Sequence, residues 1–267
     1  MHFYKGEFKY KYVPYGDGAK AIISNATMKF THPKDFNDPF DCLPSYKINS
    51  FDVLKTKYNH VIKDACKSMN YSPAQRIKKK REMEARLTNS LSKGTWQDSI
   101  RKSIGICSMT THACNLLMWA HYAKEHTGMV FEFKNLIPEN EDDYEEYLCS
   151  FKVKYEIDKP INDLSEASYE HDLLVKGKDW EYEDEVRCLD FWRKSGIHPY
   201  KRDLLSSIIL GIRFDAKLEK GIRELVSSTN NIYGTNIKIY NAKVVKDKFK
   251  IFIPDHPIYG DPDWKYA

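Results

Sequence analysis

The sequence predicts an α+β fold built on a mixed, mostly antiparallel sheet, with a helical insertion at about residues 50–100. Three observations carry this. Strand-like and helix-like segments are interspersed without a strict βαβ repeat, and several strand-like segments follow one another closely. The third is an absence: no G-x-G-x-x-G, P-loop or H-E-x-x-H occurs, so nothing supports a dinucleotide dehydrogenase, a P-loop ATPase or a zincin. No repeat, low-complexity tract or Gly/Ser-rich linker divides the chain, and one domain spanning residues 1–267 is expected.

Phe8 to Tyr12, rich in aromatics, reads as the first strand, and Ala21 to Phe30 as a short helix followed by a second strand. Phe36-Asn37-Asp38-Pro39-Phe40-Asp41 is a corner, because the residue before proline is excluded from the helical region. From Ser50 to Met69 apolar residues recur every three or four positions, as on an amphipathic helix. Ser72, Pro73 and Gln75 form a capping box that opens a second helix. Ser103 to Met109 reads as a strand, Asn115 leads into a short helix carrying Trp119 and Tyr122, and Gly128 to Phe133 reads as a buried strand. An acidic loop precedes a half-buried strand over Cys149 to Ile157, and a helix is expected over Leu164 to Lys176. Leu204 to Ile212 is a strand or a buried helix. A helix over Ala216 to Ser227 and strands over Ile237 to Val245 and Phe249 to Ile253 close the chain.

Composition excludes several classes. Lys+Arg 42 against Asp+Glu 38 leaves +4, which permits an anionic partner without demanding one. The six cysteines are scattered, with neither zinc spacing nor a disulfide framework, and point to a reducing cytoplasm. Met1 to Gly6 lacks the apolar run of a signal peptide, and no stretch approaches the roughly 20 apolar residues of a membrane span. No membrane partner is expected.

The densest chemistry lies in Trp180-Glu181-Tyr182-Glu183-Asp184-Glu185-Val186-Arg187. On a strand this alternation sets Glu181, Glu183, Glu185 and Arg187 on one face, a paired-carboxylate site closed by an arginine if it lines a cleft, or a solvated face if it does not. His121 and His126 stand five apart with no cysteine to complete a set, so no metal is expected there. No serine occupies a G-x-S-x-G elbow. The run Arg76, Lys78, Lys79, Lys80 and Arg81 offers either a phosphate-binding patch or a solvated helix face.

The order Tyr10-Lys11-Tyr12, Phe36-Asn37-Asp38-Pro39-Phe40-Asp41, Cys107-Ser108, Asn115 to Ala123 with Gly128 and Glu132-Phe133, then Trp180-x-x-Glu183-x-Glu185-x-Arg187, resembles the bacterial domain of unknown function family 2971. The match spans about residues 8 to 255. Some members of that family occur near mobile-element and phage-defence genes. A remoter resemblance is to the ADP-ribosyltransferase superfamily, with a basic or histidine residue on the first strand, a central aromatic or serine, and a late Glu-x-Glu strand. The chain departs from it in carrying Lys11 where arginine or histidine is usual and in lacking a Ser-Thr-Ser triplet.

The superfamily resemblance implies an ADP-ribosyltransferase-like fold and an NAD-dependent transferase, a toxin or phage-defence effector modifying a nucleic acid or a protein, kept in check by an antitoxin or other neutralising partner. It assigns Glu185 to charge stabilisation at the ribose and Glu183 to orienting or deprotonating the acceptor. Lys11 would meet the pyrophosphate or ribose, and Tyr122 the nicotinamide ring. Tyr12, Asn37, Asp38, Ser108, Trp119, His121 and Arg187 complete the expected NAD-binding set. The alternative is a non-catalytic or nuclease-like effector that binds nucleic acid through the basic helix.

Overall fold

The computed structural model describes residues 2–43, 45–46, 69, 71–92, 95, 101–162 and 172–265. Residues 50–68 of the helix expected over 50–69 lie outside them, as do residues 164–171 of the one expected over 164–176. In chain order the elements begin with β1 (Phe8–Val13), α1 (Asp17–Asn25), β2 (Thr27–Phe30), β3 (Ser45–Tyr46) and α2 (Pro73–Ser92). Next come β4 (Gly105–Thr110), α3 (Leu116–Tyr122), β5 (Met129–Lys134), β6 (Ser150–Lys152), β7 (Lys154–Glu156), β8 (Ile161–Asn162) and β9 (Val175–Gly177). The remainder is β10 (Glu185–Asp190), β11 (Gly196–Pro199), β12 (Leu205–Leu210), α4 (Ala216–Tyr233), β13 (Lys238–Asn241), β14 (Lys243–Val244) and β15 (Ile251–Phe252). The fold class is α+β, as expected.

The chain forms two compact units. The first comprises Met1–Thr31, Gly105–Val153 and Asp179–Ala267, and the second His32–Ile104 and Lys154–Lys178.

The first unit holds a seven-stranded sheet in the order β13-β12-β5-β1-β4-β10-β6. Its pairs are antiparallel except β12 with β13, which α4 connects as a crossover. Directly opposed residues share a face, so register decides what each face carries. On one face α1 and α4 cover Cys107, Met109, Phe131, Phe133, Val186 and Ile208 with Ile22, Ile23, Ile222 and Val226. On the other, α3 and the segment 251–264 cover Tyr10, Tyr12, Val130 and Ile209 with Trp119, Ile253, Tyr259 and Trp264.

Local chemistry sets the helix ends. Asn115 Oδ1 accepts from the backbone N–H groups of Leu117 and Met118 at 3.0 and 3.1 Å, capping α3. Asp215 Oδ1 accepts from Lys217 N at 2.8 Å at the start of α4, and Gly234, with φ 66°, ends it. Gly211 follows β12 because a Cβ there would lie 2.1 Å from the His126 carbonyl oxygen.

In the second unit, α2 opens with the expected capping box: Ser72 N donates to Gln75 Oε1 at 2.9 Å and Gln75 N to Ser72 Oγ at 3.4 Å. The expected single strand over 149–157 is two strands joined at Val153, β6 in the first unit and β7 in the second. Residues 175–177 are strand rather than helix, because their backbone pairs in parallel with β7. The run Leu173-Leu174-Val175 is equally apolar in either conformation, so periodicity does not separate the two.

Candidate functional site

The seven-stranded sheet opens between β1 and β4. β1 pairs with β5 along its whole length, yet meets β4 only where Tyr10 stands opposite Thr110. Thr110 in turn opposes Glu185 on β10, and Tyr10 opposes Glu132 on β5, which opposes Ser207 on β12. One row, Ser207-Glu132-Tyr10-Thr110-Glu185, therefore runs across the sheet on a single face.

Lys11 has the opposite parity. It opposes Phe131, on the face covered by α1 and α4, so the structure separates Lys11 from Glu185 by the thickness of the sheet. Its Nζ donates to the Ser108 carbonyl oxygen at 2.6 Å, bridging β1 and β4 from behind. Lys9, on the same face, is wholly buried and donates to the Leu148 carbonyl at 2.5 Å and to Asn135 Oδ1 at 3.1 Å. Burial pulls its pKa below the usual lysine value.

Residues 180–187 are not one strand. Lys178–Glu183 form a 3₁₀ helix, Asp184 takes a positive φ of 40°, and only from Glu185 is the chain extended. The physical reason lies in the charges. A strand would line up three carboxylates on one face, whereas the turn gives each its own surroundings. Glu181 goes to solvent. Glu183 is buried and accepts the Tyr122 hydroxyl hydrogen bond at 2.5 Å. Glu185 is buried against Arg187, whose Nε and Nη2 donate to its two oxygens at 2.8 and 3.0 Å. Aspartate tolerates the left-handed conformation at position 184 better than most residues.

Asp184 faces a cavity of about 300 Å³ at the opening of the sheet. Tyr10 from β1, Thr111 and His112 after β4, Lys152 from β6, and Tyr259 and Trp264 from the C-terminal segment line it with Asp184. His112 Nε2 lies 3.0 Å and Lys152 Nζ 3.1 Å from the Asp184 carboxylate, and the Thr111 hydroxyl donates to it. The bond from His112 outweighs a burial penalty and, with Thr111 and Lys152, holds the Asp184 carboxyl far below the usual carboxylate range. The Tyr10 and Tyr259 rings meet edge to face at 5.9 Å. Burial, with Tyr259 and Glu132 nearby, pushes the Tyr10 hydroxyl pKa up.

The remaining expected site residues divide by location. Tyr12 is buried in the core; its hydroxyl donates to the His112 carbonyl at 3.0 Å and accepts from Asn115 N at 3.3 Å. Trp119 is fully buried, with Nε1 donating to the Ala113 carbonyl at 2.8 Å. His121 is exposed, its ring 6.3 Å from that of Tyr182. Ser108 opposes Arg187 in the register. Asn37 and Asp38 lie in the second unit, where Asp38 Oδ1 accepts from Phe40 N at 2.9 Å and closes the corner. On α2, Lys79 pairs with Glu82 at 2.7 Å and Lys80 with Glu84 at 3.8 Å, so part of the basic run is neutralised along its own helix.

None of the expected site residues, Glu183 and Glu185 included, is among those lining the cavity; Asp184, His112, Lys152, Tyr10, Tyr259 and Trp264 line it, and sequence reading selects none of these as site residues. No periodicity marks them, since they meet only through the order of strands and a covering C-terminal segment. Among the described residues no helix is long and apolar enough to cross a membrane.

A family model described as "Protein of unknown function (DUF2971)" matches residues 118–188, the stretch from α3 into β10, and supports the family resemblance read from the motifs. Neither the curated proteins nor the solved structures contain a match to the chain.

Proposed function

We propose that this chain, which matches the DUF2971 family model over residues 118–188, is an NAD-dependent ADP-ribosyltransferase whose cleft is the opening between β1 and β4. Its acceptor is a nucleic acid or a protein. The observation that carries this reading is the register row Tyr10-Thr110-Glu185. It sets the first, middle and Glu-x-Glu segments of the superfamily's motif order side by side, on one face, where the sheet opens beside a cavity of about 300 Å³. Clefts of roughly 300–1,000 Å³ are the usual size of small-ligand sites, and this one suits the nicotinamide-ribose half of NAD.

In the proposed reaction a nucleophile on the acceptor bonds to the ribose C1′, the N-glycosidic bond breaks with its electron pair leaving on nicotinamide, and the nucleophile gives up its proton. Glu185, fixed by Arg187, stabilises the oxocarbenium-like charge at C1′. Glu183, oriented by Tyr122, takes the acceptor's proton. Tyr10 and Tyr259 flank the nicotinamide, and Lys152 with His112 meets the pyrophosphate. Lys11 has no place in this site. A cytoplasmic effector of this kind consumes the NAD of its own cell, which calls for a neutralising partner.

Purified protein incubated with labelled NAD and a cell lysate tests the reading. Label is expected on nucleic acid or protein, with nicotinamide released. Glu185→Gln should lower turnover by about 10²–10³, the usual cost of losing a central charge-stabilising group. Because that change also breaks a buried ion pair, Lys152→Ala, whose side chain is mostly exposed, serves as the second variant and should raise KM for NAD without unfolding the protein. Wild-type protein that releases no nicotinamide and transfers no label contradicts the proposal.

A further inference from the structure

Cys107 on β4 and Cys188 on β10 stand directly opposite each other in the antiparallel register. Far apart along the chain, they share the sheet face covered by α1 and α4, and both are buried free thiols. The backbone shows what kind of pair they make. Thr31 N donates to the Ile106 carbonyl and Ile106 N to the Thr31 carbonyl, both at 2.9 Å, so the backbone polar groups of Ile106 point away from β10. Those of the next residue, Cys107, point toward it. Cys107 and Cys188 are therefore a hydrogen-bonded pair, with Cα atoms about 5.5 Å apart. A disulfide spans Cα separations of about 4.4–6.8 Å, and these two side chains already meet, thiol to thiol.

Their surroundings make the two sulfurs unequal. Lys9 Nζ and Cys188 Sγ both donate to the Leu148 carbonyl, at 2.5 and 3.0 Å, so a buried ammonium lies beside the pair. The hydrogen bond from Cys188, helped by the charges of Lys11 and Lys9, lowers the Cys107 thiol pKa against its burial. Burial and its role as donor raise that of Cys188. The single Cys188 thiol hydrogen has two acceptors, the Leu148 carbonyl and the Cys107 sulfur, and it serves the sulfur once Cys107 has ionised. At Cys114, by contrast, burial dominates and pushes the thiol up.

We propose that Cys107 and Cys188 form a modification site, at which a hydroperoxide closes a reversible disulfide between β4 and β10. The Cys107 thiolate attacks one oxygen of hydrogen peroxide, the O–O bond breaks, and the departing hydroxide takes up the proton that Cys107 released. Cys107 is then a sulfenic acid. The Cys188 sulfur bonds to the Cys107 sulfur, the S–O bond breaks, and the hydroxyl leaves as water with the Cys188 proton. Across both steps two thiols lose two electrons and two protons, and one peroxide becomes two waters. Because both thiols are buried, the reaction waits on local opening, for which β6, three residues long and paired with Cys188 at the end of the sheet, is the shortest path. Both sulfurs lie on the opposite face from Glu185, and the proposal does not depend on the NAD reading.

Reduced wild-type protein, treated with hydrogen peroxide, alkylated under denaturing conditions and mapped by mass spectrometry, tests it. A disulfide joining the Cys107 and Cys188 peptides is expected, reversed by dithiothreitol, with Cys114 still alkylated as a free thiol. The oxidised protein should also unfold at a higher denaturant concentration than the reduced one, since the link restrains the unfolded chain. Cys188→Ser should stop the reaction at the sulfenic acid, trapped by dimedone on Cys107, and Cys107→Ser should abolish both link and label. Circular dichroism checks that each variant folds. Wild-type protein in which both cysteines stay free in excess peroxide overturns the proposal without any variant, and so does one in which either pairs with Cys149 instead. Dimedone on Cys188 in the Cys107→Ser protein would overturn the assignment of the attacking sulfur.

Discussion

At position 184 a single carboxylate answers to three donors from two places in the chain, the segment after β4 and the strand β6. His112, Thr111 and Lys152 all reach it, and together they depress its pKa. A carboxyl depressed on folding stabilises the protein fully above its unfolded value of about 3.9, and that contribution is lost as pH falls from there toward the folded value. Asp184→Asn should therefore lower stability by about 1–3 kcal/mol at neutral pH, the usual range for hydrogen bonds to a charged group. The deficit should shrink progressively below about pH 4. Asparagine also accepts a positive φ, so the substitution tests charge rather than backbone strain. Chemical denaturation of both proteins across pH 2–7 measures this, on a range set by the reference carboxylate at about 3.9. A deficit independent of pH would show that the three donors do not act through the ionised carboxylate. Asp184 was hidden in the sequence because it sits between two glutamates that alternation makes conspicuous, and alternation says nothing about a residue at a turn.

Among the elements, those with chemical punctuation were legible. The Ser72-Pro73-Gln75 box starts α2, and Asn115 starts α3, because side-chain groups satisfy the orphan N–H groups of a first turn wherever the helix sits in the fold. Asn115 does more than cap. Its Nδ2 also donates to the Tyr182 carbonyl, tying α3 to the 3₁₀ turn that presents Glu183. Asn115→Ala should cost about 1–2 kcal/mol by loss of the cap. It should also disturb Glu183, whose partner Tyr122 ends that helix. Thermal unfolding and NAD turnover of the same variant separate the two effects: a lowered Tm with normal turnover would mean that the turn keeps Glu183 in place without Asn115. The 3₁₀ helix itself was illegible, since x-Glu-x-Glu-x-Arg fits a strand period equally well and only neighbouring donors decide otherwise.

Across the whole molecule, the sheet order brings the motif segments together. Their order along the chain was readable; the register between them was not. A one-residue step in register moves a side chain to the other face, which is why Lys11, adjacent to Tyr10 in sequence, lies behind the sheet. Lys11→Met should therefore lower stability by about 1–3 kcal/mol through the lost bond to Ser108. KM for NAD should stay unchanged, and a large rise in it would return Lys11 to the site. The C-terminal segment matters for the same reason. It supplies Tyr259 and Trp264 to the cavity, although nothing in residues 251–264 reads as functional by motif.

The central claim, that NAD enters the opening between β1 and β4, is tested most directly by ¹⁹F NMR of protein labelled with fluorotryptophan. Trp264 lines the cavity there, whereas Trp192 is 83% exposed and lies beside Arg193 in a different hollow. The account predicts that NAD shifts the Trp264 resonance, assigned through Trp264→Phe, and leaves that of Trp192 in place. A Trp264 resonance that stays put at saturating NAD would contradict it.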